Sequence, residues 1–357
     1  MSNHTLLPFP AWISNPYLNL LHLAVRGDGW NVIAGVTTVD ALESTIASLH
    51  EGDVVHIHWT SPILAGVVKE DEAVRRAAKF TSVLSAAKAR GLRLLWTVHN
   101  IIAHDSAFPH VDESIARFLA EHADLVIQLH DHTSAAVANS YTLDPNRLAT
   151  VRLASYLGVY PDHWTDEEAR EFIGVPQGVP TVGFLGQIRP YKGLDVLVAA
   201  IEAAQEAIPD LTLVIAGKVF PEDRDEVNEL LGRSKNIVSE LRFVPDGAFG
   251  AWHRASDVIV LPFRKILNSS SLTAAATFDR HVIIPDDTPL AAVYESEPWV
   301  TAYPTAGDEV ANLSAAIQAH FTNRRDTSAA AHAFTRAFTP YDMSRAYLHA
   351  LDSLAHA

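Results

Sequence analysis

This chain of 357 residues lacks cysteine, long apolar runs and an excess of positive charge, and each of these excludes a class of protein. There is no cysteine, so disulfide bonds and thiolate metal sites are excluded, and a cytoplasmic location is expected. No apolar run approaches the roughly 20 residues that a membrane-spanning helix needs. Basic residues are outnumbered, with 27 Lys and Arg against 42 Asp and Glu, and the net charge of −15 predicts that nucleic acid is not a partner.

Signals for targeting and for metal binding are also missing. The first residues, MSNHTLLPFPAW, lack the cationic start and long apolar core of a signal peptide. The 18 histidines are scattered, and the closest pairs, His56 with His58 and His130 with His132, lack the carboxylate spacing of a zinc helix. His56 and His58 alternate with apolar residues, which fits buried core histidines as well as a site. We therefore predict no metal site and no cofactor.

What the chain does contain is an alternation of apolar strands and amphipathic helices. Hydrophobic residues make up 48% and charged residues 19% of the sequence, which is typical of a soluble globular protein. Several predicted strands are continuous apolar runs, as strands buried on both faces require. The alternation favours an α/β fold with parallel sheets covered by helices. The predicted strands are Trp30–Ala34, Val54–His58, Arg93–Val98, Leu125–Gln128, Thr150–Leu153, Thr181–Leu185, Leu211–Ala216, Ile237–Phe243, Val258–Leu261 and His281–Ile284. The predicted helices include Asp71–Arg90, Asp112–His122, Gly193–Ala207 and Glu222–Leu231.

A segment rich in Pro, Gly and acidic residues divides the chain at residues 161–180. We predict two Rossmann-like domains with a cleft between them, the first over residues 1–165 and the second over residues 166–339. A last helix, residues 340–357, would belong to the first domain and pack back across the junction. Ligands of such sheets bind at the carboxyl ends of the strands, so the loops that follow the strands are where chemistry is expected.

The loop GQIRPYKG opens the second domain and has the composition of a diphosphate site. The strand before it ends at Gly186, the loop contributes Arg189 and Lys192, and a helix starts at Gly193. Two cations and the free N–H groups of a helix start suit a diphosphate, which the helix dipole also attracts. The alternative is a solvated turn that happens to be basic.

The elements that follow this loop occur in a recognisable order: LTLVIAGKV, then LRFVPDGAFGAWHRASDVIVLPF, then KILNSSSLTAAATFDRHVII. This order resembles the C-terminal half of GT-B glycosyltransferases, especially the bacterial mannosyl- and glucosyltransferases of exopolysaccharide and glycolipid synthesis. The resemblance implies a metal-independent hexosyltransferase. Its donor would be a GDP- or UDP-sugar, and its acceptor a hydroxyl of a glycan or lipid-linked sugar. It also implies a cytoplasmic protein that is peripheral at the inner face of the plasma membrane.

The resemblance assigns roles to individual residues of the second domain. Arg189 and Lys192 match the pair that neutralises the donor diphosphate, and the backbone around Val244 matches the strand end beside the nucleotide base. The usual pair of glutamates is replaced by Ile266 and Ala274, although the turn NSSSL still offers hydroxyls and N–H groups to a phosphate. The residues predicted to bind the nucleotide sugar are Gly186, Arg189, Lys192, Gly217, Lys218, Val244, Asn268, Ser269, Ser270 and Ser271.

In the first domain, polar residues follow the apolar strand RLLWTV. His99 matches a histidine that contacts the donor sugar in the family, and we count it among the predicted catalytic residues. His104 and Asp105 are the candidates for acceptor binding or for a general base that takes a proton from the attacking hydroxyl. The alternative is that these side chains cap the loop and the next helix.

The sequence also allows membrane binding and two other functions, a non-catalytic role and an epimerase activity. The helix Asp71–Arg90 carries basic residues that could dock on an anionic membrane surface, although a solvated face is the favoured interpretation of its mixed charges. The missing glutamates allow a non-catalytic GT-B relative that serves as a binding or scaffold subunit. A sugar-nucleotide epimerase of the same architecture is a further alternative, but the carboxylates expected around its nucleotide loop find no match.

Overall fold

The computed structural model describes residues 4–103, 106–323 and 326–355 of the chain. These residues form two compact units. The N-terminal unit comprises residues 1–153 together with 340–357, and the C-terminal unit comprises residues 154–339. The predicted boundary lay at residues 165 and 166, so the stretch 154–165 belongs to the C-terminal unit instead of the first domain.

The N-terminal unit is built on a six-stranded sheet in which every neighbouring pair is parallel. The strand order is β2-β1-β3-β4-β5-β6. Side chains of β3 and β4 are almost wholly buried, as in a sheet covered on both faces. The strands are β1 (Thr5–Phe9), β2 (Asn31–Val32), β3 (Val54–Ile57), β4 (Arg93–Val98), β5 (Leu125–Gln128) and β6 (Leu148–Thr150).

The C-terminal unit repeats this plan with a second six-stranded parallel sheet of order β12-β11-β10-β7-β8-β9. Its neighbouring strands β7 and β8 are buried along their whole length. The α/β prediction with two Rossmann-like sheets is therefore confirmed. The strands are β7 (Thr181–Leu185), β8 (Thr212–Ala216), β9 (Ile237–Glu240), β10 (Val258–Val260), β11 (His281–Pro285) and β12 (Val300–Tyr303).

Helices link the strands in both units, and short 3₁₀ turns occur at Pro145–Arg147, Pro190–Lys192 and Pro221–Asp223. The helices of the N-terminal unit's main stretch are α1 (Pro16–Leu21), α2 (Leu23–Gly27), α3 (Val39–Ile46), α4 (Ser61–Leu64), α5 (Glu70–Ala89), α6 (Pro109–His122) and α7 (Thr133–Val137). Those that follow are α8 (Asp166–Ile173), α9 (Leu194–Ala204), α10 (Arg224–Leu231), α11 (Asp246–Arg254), α12 (Ser270–Thr277), α13 (Pro289–Val293), α14 (Glu309–Asn323), α15 (Ser328–Ala337) and α16 (Pro340–Ala355).

The last helix, α16, packs on α1 and α2 of the N-terminal unit. The hydroxyl of Ser344 accepts a hydrogen bond from the Ala24 N–H (2.7 Å) and donates one to the Leu21 carbonyl (2.8 Å). Tyr347 is fully buried, and its hydroxyl lies 2.6 Å from Nδ1 of His56 on β3. The C-terminal residues therefore complete the core of the unit that begins the chain.

Candidate active site

The loop after β7 brings a cation and a hydroxyl to one glycine. Gly186 adopts φ 116°, a conformation that favours glycine, and its N–H donates to the Ala216 carbonyl (2.8 Å). A Cβ placed on Gly186 would lie 3.1 Å from Oγ of Ser271 and 3.7 Å from Nζ of Lys192. Lys192 and Ser271 therefore meet at the carboxyl end of a central strand, as the sequence predicts for a phosphate site.

Lys192 is a buried cation. Only 9% of its surface is exposed, and its Nζ lies 5.0 Å from the centroid of the Phe263 ring. Burial lowers the pKa of the Lys192 ammonium to about 8. No acidic side chain within residues 4–103, 106–323 and 326–355 forms an ion pair with it. Such a cation gains from binding an anion, because an anion restores the charged form that burial disfavours.

Arg189 is engaged with acidic residues of its own unit. Its guanidinium lies 3.6 Å from Glu222 and 3.5 Å from Asp223, and it stacks over the Phe220 ring at 4.5 Å. Nζ of Lys218 lies 5.0 Å from the centroid of the same ring. A diphosphate would therefore compete with two carboxylates for Arg189, whereas Lys192 has no such competitor in the described residues.

The serine turn forms the start of α12. Ser269 is the N-cap, and its hydroxyl accepts a hydrogen bond from the Leu272 N–H (3.2 Å). Ser270 is exposed and interacts through its hydroxyl with the buried Tyr156, while Ser271 faces Gly186. Asn268, just before the cap, is half-buried. Ser269 therefore caps α12, and the first turn of this helix lies beside Lys192.

Ile266 and Ala274, the two positions to which the resemblance assigns glutamates, are part of the core. Ile266 is 9% exposed and Ala274 is 2% exposed, and Ile266 belongs to the main apolar cluster of the C-terminal unit. Neither side chain can accept a hydrogen bond from a ribose or a sugar. Any contact to those groups must come from other residues.

A cavity of about 560 Å³ lies beside the carboxyl end of β9. The predicted strand extends to Phe243, but β9 ends at Glu240, and Phe243 is 73% exposed. Glu240 and Arg242 form a two-point ion pair at 2.8 Å on the cavity wall. Val244, assigned to the nucleotide base from the sequence, lines this cavity together with Phe243 and Pro245. The other glycine of the prediction, Gly217, lies at the end of β8, where its backbone closely approaches Gly186.

In the N-terminal unit, His99 is held by aromatic and polar neighbours. Its ring stacks on Trp59 (centroids 4.2 Å apart, planes 19° apart) and meets the edge of Tyr17 at 5.2 Å. Its Nε2 lies 3.1 Å from Nδ1 of the buried His58. Burial lowers the pKa of His99 to about 3, so the ring is neutral at pH 7. A neutral imidazole can exchange hydrogen bonds with a sugar hydroxyl.

A buried histidine cluster lies behind His99. His56 forms hydrogen bonds with the Tyr347 hydroxyl through Nδ1 and with the Thr97 hydroxyl through Nε2 (2.8 Å). The centroid of its ring lies 3.8 Å from that of His58. His22 is 2% exposed, and its ring lies 6.3 Å from that of His58. Tyr347 and His22 lie far from His56 and His58 in the sequence, so the local sequence pattern does not reveal this cluster.

Two of the predicted catalytic residues, His104 and Asp105, lie outside the described residues. Asp112 on α6 is a buried acid, 3% exposed, that the sequence analysis did not single out. It is the first residue of the predicted helix Asp112–His122, and an acid in an amphipathic helix is normally assigned to the exposed face.

The cations of the helix proposed for membrane binding are largely engaged within the protein. Arg76 pairs with Glu72 (2.6 Å), and Lys79 pairs with Asp40 (2.6 Å). Other partners are Glu43 for Lys79, Asp124 for Lys88, and the carbonyls of Ile46 and Leu49 for Arg90. Among the helices of residues 4–103, 106–323 and 326–355, none combines the length and apolar character needed to cross a bilayer. Over the same residues, no group of three or more His, Asp or Glu side chains has the arrangement of a metal site.

Residues 179–323 match the family described as glycosyl transferases group 1. A GDP-mannose:glycolipid 4-beta-D-mannosyltransferase of Xanthomonas campestris pv. campestris is 25% identical over 301 residues, which cover 81% of this chain and 76% of that protein. A D-inositol 3-phosphate glycosyltransferase of Corynebacterium glutamicum is 25% identical over 186 residues. That alignment covers 47% of this chain and less than half, 44%, of the relative.

Solved structures share the fold over nearly the whole chain. Anabaena Alr3699/HepE in complex with UDP and glucose superimposes with a TM-score of 0.73 at 16% identity, covering 98% of this chain and all of that chain. Sucrose-phosphate synthase from Thermosynechococcus elongatus gives 0.71 at 15% identity, covering 99% of this chain and 97% of the other. These similarities confirm the GT-B fold and the resemblance to glycosyltransferases that the sequence predicts.

Proposed function

We propose that this protein, which has the GT-B fold and whose residues 179–323 match the glycosyl transferases group 1 family, transfers a hexose from a nucleotide diphosphate sugar to a hydroxyl group. The acceptor is a glycan or a glycolipid. GDP-mannose is the first donor to test, because the relative from Xanthomonas campestris pv. campestris, similar over 81% of this chain, is named for that donor and for a glycolipid acceptor.

The observation that carries the proposal is the buried ammonium of Lys192 beside Gly186 and Ser271. The diphosphate of the donor is the anion that such a site would take, since the start of α12 adds free N–H groups and the positive end of a helix dipole. These groups would stabilise the negative charge that develops on the leaving diphosphate. They supply the charge without a metal, so the transfer is proposed to be metal-independent.

His99 is proposed to contact the transferred sugar. Its ring is neutral and fixed by Trp59 and His58, so it can hold a sugar hydroxyl in one orientation without adding charge. Arg189 would assist Lys192 once the diphosphate displaces Glu222 and Asp223 from its guanidinium. A glycolipid acceptor would place the protein at the inner face of the plasma membrane, and this location remains a proposal.

Calorimetry tests the donor site directly. Titration with GDP, UDP, GDP-mannose and UDP-glucose, each with and without EDTA, should show one preferred nucleotide and no effect of the chelator. Release of that nucleotide from its sugar in the presence of octyl β-D-glucopyranoside would then show transfer to a hydroxyl. If no nucleotide binds at millimolar concentration, the non-catalytic scaffold becomes the better description.

A further inference from the structure

Tyr156, near the start of the C-terminal unit, contacts both ends of α12. Its backbone N–H donates to the hydroxyl of Thr277, the last residue of the helix (2.9 Å), and Thr277 in turn donates to the Thr273 carbonyl (2.8 Å). The Tyr156 hydroxyl interacts with the hydroxyl of Ser270, the first residue of the helix. One residue outside α12 therefore contacts the first and the last residue of this helix.

Tyr156 is itself held by the residues around it. Its side chain is buried, and its ring lies 5.3 Å from that of Tyr160. The preceding residue, Ser155, is fully buried and bonded twice to the end of the unit. Its N–H donates to the Phe338 carbonyl (2.8 Å), and its hydroxyl donates to the Thr335 carbonyl (2.9 Å). A side chain supported in this way can hold a neighbouring group in one orientation.

The Ser270 side chain is exposed at the start of α12, next to Ser271, which lies against Gly186 and Lys192. A serine hydroxyl has one hydrogen to donate and can also accept. Burial raises the pKa of the Tyr156 hydroxyl, so this group keeps its hydrogen at neutral pH and can donate it. If Ser270 accepts that hydrogen, its own hydrogen is available to a ligand, and each bond of such a chain strengthens the next.

We propose that Tyr156 is a positioning residue of the donor site, which orients the Ser270 hydroxyl toward a phosphate oxygen of the nucleoside diphosphate. This inference rests on the proposed function and deepens it, because it assigns one phosphate contact to one hydroxyl. The Tyr156 hydroxyl donates to Oγ of Ser270, and the Ser270 hydroxyl donates to the phosphate. Tyr156 therefore acts on the donor through Ser270.

The test is a double-mutant cycle on the full-length chain, with calorimetry of the preferred nucleoside diphosphate, GDP or UDP. Tyr156→Phe keeps the ring and the backbone bond to Thr277 and removes only the hydroxyl, so Kd should rise by about 3- to 10-fold. Ser270→Ala should raise Kd by at least as much. The double variant should bind like Ser270→Ala alone, because Tyr156 has no effect once the Ser270 hydroxyl is gone.

Tyr160→Phe is the matched control, since it removes the same hydroxyl from the neighbouring ring, which packs on Phe249 (4.3 Å). Its Kd should stay within about twofold of the wild-type value. In the transfer assay, Tyr156→Phe should raise the KM of the donor and leave the KM of octyl β-D-glucopyranoside unchanged. A purely structural role would not separate the donor from the acceptor in this way.

Wild-type affinity in Tyr156→Phe, or effects that add in the double variant, would overturn the inference. Ser270 is exposed, so Ser270→Ala tests the phosphate contact even if Tyr156→Phe does not fold, and wild-type affinity there would also overturn it. If the wild-type protein binds no nucleotide, the proposed function fails and the inference falls with it. If it binds a nucleotide and the two variants bind equally well, only the inference fails.

Discussion

The side chain of Lys192 owes its proposed role to its surroundings. Its ammonium lies beside an aromatic ring and a glycine, and burial already lowers its pKa to about 8. The same residue on an exposed turn would be hydrated and would contribute little to binding. The structure therefore supports the diphosphate assignment more strongly for Lys192 than for Arg189, whose charge is shared with Glu222 and Asp223.

Lys192→Ala should weaken donor binding by roughly 1.5–3 kcal/mol, the range of a hydrogen bond to a charged group. The fold should tolerate the change, because no described acid depends on Lys192 for a partner. Calorimetry with the preferred nucleotide gives the difference. Lys235→Ala, at an exposed lysine of the same unit, is the control and should bind like the wild type. Equal affinity for both variants would remove Lys192 from the site.

At the scale of elements, the start of α12 links stability to binding. The Ser269 hydroxyl caps the helix by accepting from the Leu272 N–H, and the capped turn presents Ser271 to Gly186. An N-cap fixes the first turn of a helix, and here that turn is part of the proposed phosphate site.

Ser269→Ala should lower the free energy of unfolding by about 1 kcal/mol, the usual effect of losing an N-cap hydroxyl. Since the first turn of α12 would loosen, nucleotide affinity should fall as well. Urea denaturation and calorimetry on the same preparation measure the two effects. Ser269→Asp, which can still cap, should restore the stability, and a failure to do so would show that Ser269 acts in another way.

Elements were predicted well where the sequence pattern is local and long. The buried strands β4, β5 and β7 match their predicted bounds, because a continuous apolar run between turn signals is itself the strand. Two strands were missed. β1 contains Pro8, a residue that argues against a strand, and its pairing with β3 is decided by packing. β12 is a four-residue strand at the edge of its sheet with mixed burial, so its sequence shows no clear alternation.

At the scale of the whole molecule, buried neutral histidines tie stability to pH. Burial, with a smaller effect of Arg26, lowers the pKa of His22 to about 3, and burial chiefly lowers that of His253 to about 4. In the unfolded chain a histidine has a pKa of about 6.5, so below that pH the unfolded state binds more protons than the folded state. Stability is therefore fully present above pH 6.5 and is lost as the pH falls toward 4.

The thermal midpoint should fall between pH 7 and pH 5, and His22→Leu should reduce that fall. Each buried histidine contributes up to about 1.4 kcal/mol per pH unit in this range. Nε2 of His22 has no hydrogen-bonding partner in the described residues, so the leucine substitution breaks no hydrogen bond of this atom. His50→Leu, at a side chain that is 90% exposed, is the control and should leave the pH dependence unchanged. If His22→Leu follows the wild-type profile, another group is responsible.

The sequence by itself determined the α/β class, the two parallel sheets and the loops at which a nucleotide sugar is expected to bind. These features are local in the sequence. A buried parallel strand corresponds to one apolar run, and the polar residues of its loop follow directly after that run. Only the tertiary structure decided which charges remain without partners. Arg189 meets Glu222 from a later turn, Tyr347 of the last helix meets His56, and Lys192 forms no ion pair with any acid of the described residues. Such pairings depend on residues far apart in the chain, so they become visible only after the chain has folded.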